Sequence, residues 1–398
     1  MVTRENYSSS FINVKQITED LLKDIDLNGE EGVFGFLVCD SRIDYQSVVE
    51  ELVKQVTYPI AGGTTLTMPS ALEGEEISAS FTVIQREGMK ISVAKSAKLD
   101  VECLDEQMEQ LYLDCVQDEE DIKLFMPFMP LIPGLPADSF IQSLFGKAGN
   151  IPVFGGVTTD DLDTTKAAVF TREGAFHNRM ILIALSGNVK PVFQAENQLT
   201  LMSDYEPSVT ESNHNIVKKV DDMLFCDYMK KVGIAPEERI NGIDALIQYG
   251  PIPVRLRNKL PDDDGIPEIR CISYTNVEEG SVVFSSEMPE GTRVGLGILQ
   301  KQDIIDSSRR CMDSMKSQIA ENETDGYQYG MLFSFPCVAR YFATTGGDHP
   351  ESKLLRMDKP KEMAGASFYA FNEISPTLGT DKRVLNRSHN ASIIMCAI

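Results

Sequence analysis

The sequence lacks a basic excess. Its 398 residues carry 37 Lys and Arg against 60 Asp and Glu, a formal net charge of −23 spread along the chain. Phosphate backbones and anionic bilayers would be repelled, which argues against nucleic-acid and lipid-surface roles. Also missing is any apolar run near the roughly 20 residues that span a bilayer. The opening Met1-Val2-Thr3-Arg4-Glu5-Asn6 has no apolar signal-peptide core. The expected location is cytoplasmic. Eight cysteines (Cys39, Cys103, Cys115, Cys226, Cys271, Cys311, Cys337, Cys396) include no Cys-x-x-Cys pair and no adjacent histidine. They read as reduced thiols, without a disulfide framework or a zinc site. No Gly-x-Gly-x-x-Gly, no phosphate-binding Gly-Lys-Ser/Thr and no Gly-x-Ser-x-Gly elbow occurs, so nucleotide binding and elbow-type hydrolysis have no support. His177, His214 and His349 share no metal-ligand spacing, and Asp262-Asp263-Asp264-Gly265 lacks the spaced acids of a calcium loop and reads as a solvated turn.

What is present begins with a repeat. Pro59-Ile60-Ala61-Gly62-Gly63-Thr64-Thr65 answers to Pro152-Val153-Phe154-Gly155-Gly156-Val157-Thr158. Each copy follows a stretch with apolar residues at helical spacing (47–53 and 139–145). Each precedes strand-like runs around an Arg-Glu-Gly turn, Arg86-Glu87-Gly88 and Arg172-Glu173-Gly174. An internal duplication, about 47–95 and 139–185, of helix, strand, Gly-Gly loop and hairpin is the simplest account.

The remaining pattern predicts short helices near 20–26 and an acidic one over 105–125. A Pro-rich brace is expected over 126–136. Past a boundary near residue 190, the pattern predicts a long helix over 213–231 closed by Gly233, and strands at 198–202, 245–249, 269–274, 281–284 and 293–299. A helix is expected over 303–320 with Asp303 near its start, followed by strands at 330–335 and 392–397. The fold class expected is α/β to α+β, with mixed, largely antiparallel sheets and packed helices. Two domains are expected, 1–190 and 191–398.

Candidate chemistry is concentrated in few places. Glycine pairs let a backbone come close to another group, so Gly62, Gly63, Gly155 and Gly156 are either tight packing or amide donors to a ligand. Cys337 and Arg340 offer a thiol and a guanidinium three residues apart; arginine lowers a thiol pKa or grips a carboxylate with two hydrogen bonds. Glu373, His389 and Asn390 bring an acid, an imidazole and an amide toward the end of the sequence. His389, and after it His177, are the candidate haem ligands.

The ordered set of Pro59–Thr65, Pro152 to Gly156, Cys337-Val338-Ala339-Arg340, Asn372-Glu373-Ile374-Ser375-Pro376 and His389-Asn390-Ala391-Ser392 resembles the FIST family of sensory proteins over most of the chain. Asn372 stands where that family has glycine, and Ser392 lies near its usual threonine. The resemblance implies an N-terminal and a C-terminal FIST domain and small-ligand sensing without catalysis. Amino acids are the implied ligand class, and the output passes to a partner such as a histidine kinase, a chemotaxis protein or a cyclic-di-GMP circuit. It also implies one alternative, a haem-binding nitric oxide sensor regulating a histidine kinase; a further alternative, read from the residues themselves, is an enzyme using Cys337 as nucleophile with Arg340 as activator. In the first reading Gly62, Gly63, Gly155, Gly156, Cys337, Arg340, Glu373, His389 and Asn390 contact the ligand, with no cofactor.

Overall fold

The computed structural model describes the chain except for residues 67, 70–75, 118, 120, 133, 134, 136, 162–164, 240–250, 258–265, 267, 324, 325, 345–348 and 379–382, and the side chains of 68, 69, 238 and 239. The strand expected at 245–249 and the acidic turn at 262–265 lie outside the described residues.

One plan of strand, helix, central strand, helix, glycine strand, hairpin and closing strand is used three times. The first unit runs Val2–Ser8, helix Val14–Leu22, Val33–Asp40, helix Tyr45–Val53, Ile60–Thr65, a small hairpin of Met68–Pro69 and Glu76–Ile77, and Ala79–Gln85. The second runs Met89–Lys95, helix Leu104–Val116, Ile122–Pro130, helix Ala137–Ala148, Gly155–Thr158, the hairpin Val169–Thr171 and Gly174–Phe176, and Ile181–Gly187. The third starts with Val192–Glu196 and resumes with helix Lys301–Glu323, strand Met331–Pro336, helices Val338–Ala343 and Pro350–Met357, and strand Ala364–Ser367. The hairpin Ala370–Leu378 and Val384–His389 and the strand Ile393–Ala397 complete it.

In each unit the closing strand lies between the first and central strands, and the glycine strand runs parallel to the central one. The hairpins cross over. That of the second unit extends the first sheet by pairing Val169 with Gly63, and that of the third extends the second sheet by pairing Glu373 with Gly156. The fold is therefore mixed α/β with mostly antiparallel pairing. The repeat extends to a third copy whose glycine strand, Ala364-Gly365-Ala366-Ser367, keeps only one glycine of the pair.

An insertion separates the first strand of the third unit from the rest: an eight-stranded antiparallel sheet between Thr200 and Ile298, packed on the helix Phe225–Lys231. The first two units end at Gly187, and the hairpin 370–389 returns to the second sheet.

The inner faces of the three sheets meet in one core. Phe36 of the first central strand packs at 5.3 Å from Phe128 of the second and at 5.3 Å from Phe333 of the third, with Phe335 against Phe128 at 5.8 Å. Offset and edge contacts between rings add about 0.5–1.5 kcal/mol each beyond area burial. The amphipathic helices cover the outer faces: Val48, Val49 and Leu52 on the first sheet, Met108, Leu111, Phe140 and Leu144 on the second.

Several expected elements take another form. Residues 79–85 and 89–95 are not a hairpin, because the Arg86-Glu87-Gly88 turn carries the chain from the first sheet to the second. Arg172-Glu173-Gly174 instead joins the short hairpin Val169–Thr171 and Gly174–Phe176. The shared tripeptide therefore does not mark equivalent turns. The Pro-rich stretch contributes to the buried strand Ile122–Pro130. Proline's fixed φ lies within reach of extended backbone, and Phe125, Met126, Phe128 and Met129 fill both faces of the sheet. The acidic helix stops at Val116, where Gln117 takes a positive φ of 45°. Over 213–231 the chain forms strands Val209–Asn213 and Ile216–Val220 before the helix Phe225–Lys231. Positive φ at His214, Asp221 and Asp222 sets the turns, and Val217 and Val220 are buried between exposed residues. The first helix is Val14–Leu22, capped by the Asn13 side chain on Gln16 N, upstream of the expected 20–26.

Candidate functional site

The glycine pairs lie inside strands. A Cβ on Gly62 would meet Leu37 O at 1.8 Å, on Gly63 Thr158 Cγ2 at 2.5 Å, on Gly155 Pro127 O at 2.0 Å and on Gly156 Asn372 O at 3.0 Å. Gly62 and Gly155 let the central strand of their own sheet approach closely, and Gly63 and Gly156 do the same for the neighbouring unit. Thr64 Oγ1 donates to Thr159 O at 2.8 Å, and Thr158 Oγ1 donates to Ala168 O at 3.1 Å, joining the ends of the two strands. The packing reading accounts for all four, and the expected open loops are corrected to strand.

Arg340 is fully buried, and its donors are engaged by the protein. Nε donates to Glu351 Oε1 at 2.8 Å and Nη1 to Ala391 O at 3.2 Å. Nη2 donates to Ile304 O, Ser307 Oγ and Ser308 Oγ at 3.0, 2.9 and 3.0 Å. This guanidinium ties the helix Lys301–Glu323, the helix Pro350–Met357 and the turn before the strand Ile393–Ala397 into one knot. Cys337 sits where the strand Met331–Pro336 turns into the helix Val338–Ala343, and it faces Glu373. Burial pushes the Cys337 thiol well above its usual range, and the nearby Glu373 and Cys271 push it further. Burial likewise raises Glu373 well above the carboxylate range, although Cys337 and the Ser392 amide, at 3.2 Å from Oε2, stabilise its charge. A thiol held above its usual range by burial and by a neighbouring carboxyl is a poor nucleophile, because the thiolate is the attacking form. The Arg340 guanidinium is committed to Glu351.

A cleft of about 240 Å³ opens along the edge strand Val384–His389 of the hairpin. Its walls are Asp138 and Gln142 on the helix Ala137–Ala148, Asn386, Arg387, Ser388 and His389 on the hairpin, and Ile266, Glu268, Arg270 and Glu287 from the inserted sheet. Helix, hairpin and insertion come from distant parts of the sequence. Arg270 is 9% exposed, with Nη1 donating to Ile269 O at 3.0 Å and Nη2 to Glu268 Oε1 at 2.5 Å. Its Nε has no hydrogen-bond partner among the described residues. Asp138 Oδ1 accepts from Ser388 Oγ at 3.1 Å and from the Asn372 amide. His389 Nε2 bonds to Ser375 O at 3.2 Å. Asn390 lies just behind: its Oδ1 accepts from Ser285 on the inserted sheet, and its Nδ2 reaches Asn372 Oδ1 at 3.4 Å. Basic and acidic groups facing one polar cavity suit a ligand that carries both charges, or a carboxylate.

Of the sequence-predicted residues, His389 lines this cleft and Asn390 braces its back wall. Glu373, Cys337 and Arg340 lie in the buried layer behind, and the glycine pairs pack the sheets. Sequence reasoning missed Asp138, Glu268, Arg270, Glu287 and Arg387, charged residues on otherwise ordinary strands and helices. The one available signal was a second His-Asn pair. His177-Asn178 precedes the strand Ile181–Gly187 as His389-Asn390 precedes Ile393–Ala397, which marks the hairpin-to-strand junction as part of the repeat. Among the described residues no group of His, Cys, Asp and Glu could hold a metal ion.

Three intertwined units with an inserted sheet, and a cleft where the second unit, the third unit's hairpin and the insertion meet, make up a protein of two FIST regions. The FIST N domain family matches residues 33–223 and the FIST C domain family residues 237–376, so the chain belongs to the FIST-domain proteins, which are associated with sensing small ligands in signal transduction. No curated protein matches it. Among solved structures, cyanuric acid hydrolase from A. caulinodans is similar at 11% identity over 49% of this chain and 70% of its own, with a TM-score of 0.27. Phosphoribosylformylglycinamidine synthase II from Thermotoga maritima is similar at 10% identity over 92% of this chain and 64% of its own, with a TM-score of 0.16. Neither likeness bears on what this chain binds.

Proposed function

We propose that the protein is a cytoplasmic sensor that binds an amino acid or another small carboxylate in the cleft between the helix Ala137–Ala148, the hairpin 384–389 and the inserted sheet. The observation that carries this reading is Arg270, nearly buried at the cleft wall with an Nε that no described residue accepts from. A ligand carboxylate in the cleft would face the Arg270 and Arg387 guanidinium groups on its wall. Asp138, Glu268 and Glu287 provide negative charge for an ammonium group, and His389 forms part of the floor. Support for the cytoplasm comes from eight free cysteines and from the absence, among the described residues, of a helix long and apolar enough to cross a membrane.

The ligand touches the three-unit body and the inserted sheet together, so binding favours one arrangement of the two over others. The Asn390–Ser285 hydrogen bond is a polar link across that boundary. A separate partner, of the histidine kinase, chemotaxis or cyclic-di-GMP kind, reads the favoured arrangement. The test is thermal unfolding against amino acids, other small carboxylates and haem, because a ligand that prefers the folded state raises the midpoint. The expected result is a shift with one amino-acid or carboxylate class that Arg270→Ala removes. No shift with any carboxylate, or the same shift in the variant, overturns the reading. No observation favours haem or thiol catalysis: His389 is 7% exposed and bonded to Ser375 O, and Cys337 is buried with its thiol pKa pushed upward.

A further inference from the structure

A second, much smaller cavity lies where the third unit meets the first. It has about 20 Å³ of room and is bounded by Ser80, Ser334, Ser367, Arg356, Lys359 and Glu5. Ser80 and Ser334 are each 4% exposed. Among the described residues, the hydroxyls of these three serines and the Arg356 guanidinium have no hydrogen-bond partner, although all line the same space. Arg356 is held there by stacking, its Cζ 4.7 Å from the centre of the Tyr7 ring.

The charges do not cancel. Lys359 Nζ pairs with Glu5 at 3.0 Å and donates to Met363 O at 2.7 Å, and Glu5 Oε2 also accepts from Gly365 N at 2.8 Å. Glu5 is thereby satisfied by its own neighbours, and the positive charge of Arg356 is left over. Burial lowers the Arg356 pKa, and the nearby Glu5 carboxylate opposes this. An anion against Arg356 would offset the cost of holding a guanidinium away from water.

Size selects the occupant. A cavity needs about 10–15 Å³ of such room to hold one water. The room between these groups therefore matches one atom-sized guest. Water would satisfy the serine hydroxyls but leave the guanidinium charge uncompensated; a halide accepts from both. We propose that this cavity is a halide site, occupied by chloride, in which Arg356 supplies the charge and Ser80, Ser334 and Ser367 supply hydroxyl donors. Ser80 belongs to the first unit, and the other ligands belong to the third. The ion therefore fastens the third unit to the first, at the joint that closes the ring of units.

The test uses the whole chain. Crystals soaked in bromide should show an anomalous peak between Arg356 and Ser334. Thermal midpoints at equal ionic strength should be higher in sodium chloride or bromide than in sodium gluconate. Arg356→Gln should remove that difference, and the double variant Ser80→Ala, Ser334→Ala should shrink it even if Arg356→Gln fails to fold. An empty or water-filled cavity in the bromide crystals overturns the proposal. So does a chloride-dependent shift that survives in the double variant. Amino-acid binding in the large cleft should be unaltered by the double variant, which separates this site from the sensing site.

Discussion

Arg340 and Arg270 carry the same group, yet their surroundings assign them opposite tasks. Arg340 spends its donors on Glu351, Ala391, Ile304, Ser307 and Ser308 with no exposure at all. Arg270 keeps Nε without an acceptor beside a cavity. A residue that belongs to a family signature is thus not thereby a ligand contact. What decides is whether its hydrogen-bonding capacity is already consumed.

The sharpest way to break the comparison is to truncate the buried arginine. Arg340→Ala leaves the Glu351 carboxylate buried without its partner, which should cost about 3–5 kcal/mol of folding stability. Urea unfolding measures this, and a loss below about 1 kcal/mol would show that the knot is not structural. Gly155→Ala comes next. Its Cβ would fall 2.0 Å from Pro127 O, and the forced displacement should cost about 3 kcal/mol by the same assay. A neutral Gly155→Ala would return the glycine pair to the list of ligand contacts.

Arg270→Ala should do the reverse of Arg340→Ala. Stability should change by about 1 kcal/mol, while affinity for a carboxylate ligand falls about tenfold to a hundredfold, the range of one charge-assisted hydrogen bond. Calorimetry with the ligand class found by thermal shift reads both numbers. The smallest expected effect is in pH dependence. Because the folded-state pKa of Glu373 is raised by burial, its contribution is fully present below the unfolded value, about pH 4.3, and is lost as pH rises through the folded value. Glu373→Gln should therefore gain on the wild type as pH increases from 4 to 8. Parallel unfolding curves at every pH would mean that the carboxyl is already charged in the folded protein.

Much of the architecture was legible because it is written in short-range pattern. Apolar periodicity located the helices flanking the glycine strands, and the Pro-x-x-Gly-Gly repeat revealed two of the three units. The third escaped because its glycine strand reads Ala364-Gly365-Ala366-Ser367 and because residues 197–300 separate its first strand from the rest. The helix expected at 213–231 failed on turn chemistry: left-handed backbone at His214, Asp221 and Asp222 divides a segment whose composition suits either structure. Of the site, His389 and Asn390 were visible as a motif. Arg270, Glu268 and Asp138 were not, since each looks like a solvated charge until the fold brings three distant segments around one cavity.

The placement of the strand Ile393–Ala397 sets a timetable for synthesis. It is an interior strand, paired on one side with Val192–Glu196 and on the other with Met331–Pro336. The first two units hold their central pairings within residues 2–187 and can assemble while translation, at about 5–20 residues per second, continues. Val192–Glu196 must wait with an unpaired edge until residue 397 has emerged, through the whole of the inserted sheet. During that interval the nascent chain is a completed two-thirds of a ring with an open apolar flank formed by Phe36, Phe128 and Phe154, the stage at which a chaperone would be most needed.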